Sequence, residues 1–220
     1  MQKIEKLIRI VEQQDWVIYC IVGIVLSYII MFKTLQRDIS LLEFIAQPYD
    51  NSNNNFLSWF ISTILFSLSF SVLFSQYVPI VPQFIAENFK FFGISFNKFG
   101  FMFVSLLLFY FVKNGATYLF YGSIQELKKF GSYTFIAQKY YIVYSVVILI
   151  MSLVLYYLPI DKQKLFIINV FVVVFAFLLK IGIYLFHNQR ILPGEWYYKF
   201  LYICTLQILP ALVVWKFWFL

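Results

Sequence analysis

Three polar side chains sit inside long apolar runs of this sequence: Lys113, Lys180 and Gln207. A group that can carry charge is expensive at membrane depth and is usually kept there for a reason, so these residues are where a mechanism should show. Two lysines facing one space would hold an anion, such as a lipid headgroup or the carboxylate of a partner. Other chemistry lacks its residues. His187, the only histidine, ends an apolar run, and a metal site needs three or four convergent ligands, so no metal is expected. Every Asp and Glu falls in a terminus or a loop, which leaves no titrating carboxylate at depth for a proton-driven carrier. Ser58, Ser62, Ser67, Ser69, Ser71 and Ser75 crowd one segment without a base in evidence to activate any of them. Serines in a membrane helix more often bond their own backbone or let a neighbouring helix come close. No glycine-rich phosphate cradle or dinucleotide fingerprint occurs. Neither a catalytic residue nor a cofactor is expected.

The elements that position the three polar residues follow from composition. Of 220 residues, 62% are hydrophobic and only 12% are charged, and the mean hydropathy is +0.81. Soluble domains hold roughly 45 to 50% apolar residues, so a water-soluble fold could not hide this surface. Spanning a hydrocarbon core of roughly 30 Å takes about 20 apolar residues. Windows that qualify cover residues 16–32, 56–78, 99–121, 141–158, 165–186 and 200–220. The expectation is an all-α, polytopic transmembrane bundle of about six spans, forming a single integral membrane domain over residues 1–220. The first run follows a charged stretch and lacks a small-x-small cleavage site, so it is expected to stay in the protein. Before it, Ile4, Leu7, Ile8 and Val11 recur at helical spacing opposite Lys3, Glu5 and Lys6, which predicts a short amphipathic helix in the interface. Residues 47–55 read QPYDNSNNN, a run of turn-formers that must meet water. Pro79 and Pro82 close the second span, and the aromatic stretch after them, broken by Glu87, Asn88 and Lys90, is expected to lie along the interface.

Alternating spans put Lys113, Lys180 and Gln207 about 9 to 12 Å inside one face, at 1.5 Å per residue. Two readings are open. Each lysine can snorkel separately to the headgroups with its stem buried, or the three can converge on one site facing the bundle. Pro210 bears on the second, because it frees the carbonyl of Leu206 next to Gln207 and predicts a kink in the last span.

A formal charge of +7 would point to nucleic acid in a soluble protein. Here the basic residues lie singly or in pairs between apolar runs, as anchors do at anionic headgroups, so the expected partner is the lipid bilayer and no nucleic acid. Lys and Arg divide almost evenly between the two faces. Cytoplasmic termini rest only on Lys3, Lys6 and Arg9 before the first span and on the basic residues that follow it. Cys20 and Cys204 both lie in apolar runs, where a thiol behaves as a small hydrophobe.

The segment 200–216, FLYICTLQILPALVVWK, resembles the close of a family of small polytopic membrane proteins from Bacteroidota, the domain-of-unknown-function family 4271. That close reads aromatic-leucine-tyrosine-x-cysteine-threonine-x-glutamate-x-x-proline, ending in a lysine. Asp15-Trp16 at the first span and Lys113 late in the third also fit. The resemblance covers nearly the whole chain in layout, with its specific part in the last span. Gln207 stands where the family usually has glutamate. The resemblance implies a membrane location in a bacterial envelope and no particular activity. Together these observations lead to the expectation of a non-enzymatic inner-membrane protein, an assembly or accessory subunit in envelope biogenesis or secretion. The alternative is a carrier or flippase for an anionic lipid or small anion.

Overall fold

The computed structural model describes residues 15–36, 39–49, 54–78, 97–186 and 191–219. The expected N-terminal amphipathic helix, the interfacial stretch after Pro79, residues 50–53 of the polar run and His187 lie outside the described residues. Seven helices are labelled in chain order: α1 (Asp15–Leu35), α2 (Leu41–Ala46), α3 (Asn55–Phe74), α4 (Lys98–Ser123), α5 (Leu127–Tyr157), α6 (Lys162–Phe186) and α7 (Trp196–Phe219). No strand occurs among the described residues. Six of these helices, all but α2, are long and apolar enough to cross a membrane, and the chain is a multi-pass membrane protein of the all-α class. α7 is not uniform. Residues Tyr202–Ile208 within it form a π-helical stretch.

Helices α3 and α5 pack against each other along their length, and α1 and α4 flank them. α3 can sit at the centre because its polar residues are small and self-satisfied. The hydroxyls of Thr63, Ser67, Ser69 and Ser71 each donate to the carbonyl four residues earlier, at 2.7 to 2.8 Å. Such back-bonding lets a hydroxyl enter hydrocarbon without an orphaned donor. Ser58 instead accepts from Gln36 Nε2 at 2.9 Å, closing the turn after α1. As a result 67% of the most apolar stretch of α3 is buried, against 17% in α6 and 11% in α7. The two last helices therefore form the periphery, with Phe171, Leu178, Leu212 and Val213 turned outward as lipid-facing surface.

Contacts at the two ends fix the alternation of the helices. At one face Trp16, opening α1, meets Phe99 and Tyr156 edge-on, and Phe166 of α6 meets Phe219 of α7. At the other, the Tyr121 hydroxyl at the end of α4 donates to the Ile191 carbonyl before α7, at 3.1 Å. Lys139 of α5 donates there to the carbonyls of Ile45 and Gln47 at 2.8 and 2.5 Å. We call the second the near face and the first the far face. Since α1 starts and α7 ends at the far face, reporter fusions ahead of Trp16 and after Leu220 should read the same compartment, and one near Asn53 the opposite one. Opposite readings for the two terminal fusions would mean a different number of spans.

The fourth spanning helix starts at Leu127, well before the expected 141. Lys128, Lys129, Gly131, Gln138 and Lys139 lower the hydropathy of its first turns, yet none of them breaks a helix. Two of the lysines find local partners: Lys129 pairs with Glu126 at 2.6 Å, and Lys139 caps the carbonyl end of α2 while its ammonium lies 4.6 Å from the Phe135 ring. Gly131 leaves room for the Tyr49 hydroxyl, which occupies the place a Cβ would take. At 31 residues, α5 is about 46 Å long and outreaches the hydrocarbon core of roughly 30 Å, so its first turns stand at the near face. Lys139→Met removes two charge-assisted bonds to carbonyls and should lower stability by about 1 to 2 kcal/mol, measured as thermal unfolding in detergent. A variant as stable as wild type would show that these bonds only replace equivalent bonds to water.

Candidate functional site

Each residue of the intramembrane set is carried by a different helix. Lys113 lies on α4, Lys180 on α6 and Gln207 on α7, and all three are buried, at 6%, 4% and 0% exposure. Lys113 Nζ donates to Gln207 Oε1 at 2.5 Å. Gln207 Nε2 in turn donates to the Tyr202 hydroxyl at 2.7 Å, so the amide is used at both ends.

The second of these bonds depends on the local backbone. Residues five apart lie about 140° from each other around an α-helix, too far for side chains of one helix to meet. The π-helical stretch Tyr202–Ile208 changes that register, with the Leu209 N–H bonding the Cys204 carbonyl five residues back. It turns Tyr202 and Gln207 to the same inward side, and they are the two buried residues of the stretch. Pro210 follows at once, in the first turn of the α-helical section Leu209–Phe219. A proline lacks the N–H that an α-helical bond to Leu206 would need, and it is tolerated in a first turn. The sequence reading anticipates the disturbance at Pro210 as a kink. The structure realises it as a change of helix type immediately before the proline.

Lys180 makes a separate set of contacts. Its Nζ reaches the Tyr141 hydroxyl at 3.4 Å, the long end of a hydrogen bond, and lies 4.6 Å, 5.0 Å and 5.9 Å from the ring centres of Tyr141, Tyr140 and Tyr184. These distances are in the range of cation–π attraction. Lys113 has one such ring, Phe109, at 5.7 Å. Lys180 therefore does not bond Gln207, but both lysines line one cavity of about 380 Å³ between α3, α4, α5, α6 and α7. Tyr144 lines it as well, and its buried hydroxyl has no protein partner among the described residues.

Neither lysine meets a carboxylate among the described residues. Of the described acids, Asp15, Glu43, Glu126, Asp161 and Glu195 all stand at helix ends or in connections. Hydroxyls, rings and an amide soften the cost of an ammonium in a low-dielectric interior, but none supplies a negative charge. Two ammonium groups thus share one cavity without a counter-charge among the described residues. Among the described residues no group of His, Cys, Asp and Glu could hold a metal ion. Tyr141 and Tyr202, which complete the set, are absent from the sequence-based selection, since a tyrosine in an aromatic-rich chain carries no signal of its own. The five-residue spacing from Tyr202 to Gln207 ahead of Pro210 is the trace that could have found one of them.

A family model described as a domain of unknown function (DUF4271) matches residues 16–218. No curated protein and no solved structure matches the chain.

Proposed function

Because the chain belongs to the domain-of-unknown-function family DUF4271, whose description assigns no activity, we propose a role from the site alone: a non-enzymatic subunit of a bacterial inner membrane that holds an anionic group inside the bilayer. Its setting is envelope biogenesis or secretion in Bacteroidota, with termini in the cytoplasm, and it serves there as an assembly or accessory component. One observation carries the reading. Lys113 and Lys180 line a single intramembrane cavity, and no described carboxylate is near enough to neutralise either. Isolated ammonium groups in a membrane interior are costly and persist where something uses them.

A carrier or flippase for an anionic lipid or small anion is the second reading, and the cavity's position beside the peripheral helices favours it. α6 packs mainly on α5 and α7 mainly on α4, and Val174 of α6 and Leu212 of α7, both on the cavity wall, are exposed, which opens the cavity outward between the two helices. Purification in mild detergent, with mass spectrometry of bound proteins and bound lipids, separates the two. Stable protein partners retained by wild type support an accessory subunit, while bound anionic lipid without partners, together with its transfer between vesicles, supports the carrier. Protein that emerges with neither, and that binds no added anion, would overturn both.

A further inference from the structure

The cavity is not a compact pocket around the lysines but a slot. From Lys180 it follows α6 down to Val170, and from Ile208 it follows α7 down to Trp218. Ten residues of helix on either side give about 15 Å of length. Along that length the walls are Phe66, Phe70, Val173, Leu212 and Trp215, without a charged group. Trp218 stops the far end, where its Nε1 donates to Ser105 Oγ at 3.0 Å and its ring lies 5.9 Å from that of Phe70. One end is cationic, with the Tyr144 hydroxyl beside it, and the rest is apolar.

We propose that this slot binds a single-chain anionic lipid, with the carboxylate or phosphate head between Lys113 and Lys180 and the acyl chain running along α6 and α7 to Trp218. This rests on the anion-holding reading above and adds the chain to it. Polarity and shape both support a chain. A free small anion would have no use for about 15 Å of apolar wall. One acyl chain suits a narrow slot within the usual 300 to 1,000 Å³ range of ligand sites. A diacyl lipid is disfavoured by depth. By residue count the lysines lie about 9 to 15 Å from the near-face ends of α6 and α4, so its head and second chain would both have to leave their normal level. The gap between α6 and α7 gives lateral access.

The test uses the full chain in nanodiscs of neutral phosphatidylcholine, titrated with stearate carrying a nitroxide near its methyl end, and reads tryptophan fluorescence. Saturable quenching is expected, displaced by oleate and not by oleate methyl ester. Trp218→Phe should remove most of the saturable part. Lys180→Met and Lys113→Met should each weaken binding at least tenfold. Ala211→Trp fills the slot from the half-buried side of α7 and leaves the lysines in place, so it should abolish stearate binding even if a lysine variant fails to fold. If inorganic phosphate or acetate displaces the probe as well as oleate does, and Ala211→Trp has no effect, the slot plays no part: the inference fails while the anion reading stands. Displacement by diacyl phosphatidylglycerol as effective as that by oleate would overturn the single-chain assignment. Equal displacement by the methyl ester would overturn the inference and the anion reading together.

Discussion

Replacing Gln207 with leucine is expected to cost the folded protein about 3 kcal/mol. Leucine is close in size and fully apolar, and in most of α7 it would be welcome, since that helix mainly faces lipid. At 207 it removes both bonds of the amide at once. Lys113 Nζ loses its 2.5 Å acceptor and the Tyr202 hydroxyl loses its donor. A buried polar group left unpaired costs about 1 to 3 kcal/mol, and more when charged. Lys113→Met at the same time should recover much of the loss, because the stranded ammonium is then gone. Thermal unfolding of the two single variants and the double variant in detergent gives the coupling directly. Additive losses would mean that Lys113 and Gln207 do not depend on each other.

The same coupling explains which parts of the architecture could be read in advance. Spanning helices are legible because the bilayer sets their length and composition, and the six apolar windows overlap the six long helices. The N-terminal turns of α5 are not legible by that signal. They stand at the near face, where Lys139 can work as a cap on α2, so hydropathy does not describe them. Lys113, Lys180 and Gln207 stand out for their polarity against an apolar background. Their pairing does not, because it depends on helix rotation. Lys113 and Gln207 meet only because the π-helical stretch turns α7, and Pro210 is the one residue in the sequence that marks the disturbance. Lys180 finds Tyr141 instead, a partner that one more tyrosine among 17 could not announce.

Gln207→Glu is expected to leave the fold at least as stable as wild type and to lower retention of a bound anion at least tenfold. A glutamate can keep the acceptor oxygen within reach of Lys113 Nζ, so the bond survives and becomes an ion pair inside a low-dielectric bundle. What it cannot keep is the donation from Nε2 to Tyr202, but the tyrosine hydroxyl can turn and donate to the carboxylate. The charge balance then changes from two cations without a described acid to one. An incoming anion would meet a carboxylate beside Lys113 and would have Lys180 alone to attract it. The family resemblance gives this substitution its interest, since it implies a glutamate at this place in the close of α7. A chain with the acid would hold its own counter-charge, whereas in the proposed reading this one obtains it from outside. Lipids retained through purification, compared between wild type and Gln207→Glu by mass spectrometry, provide the measurement. Equal retention of anionic lipid by a well-folded Gln207→Glu protein would show that Lys113 contributes nothing to anion binding, leaving Gln207 a purely structural link between α4 and α7.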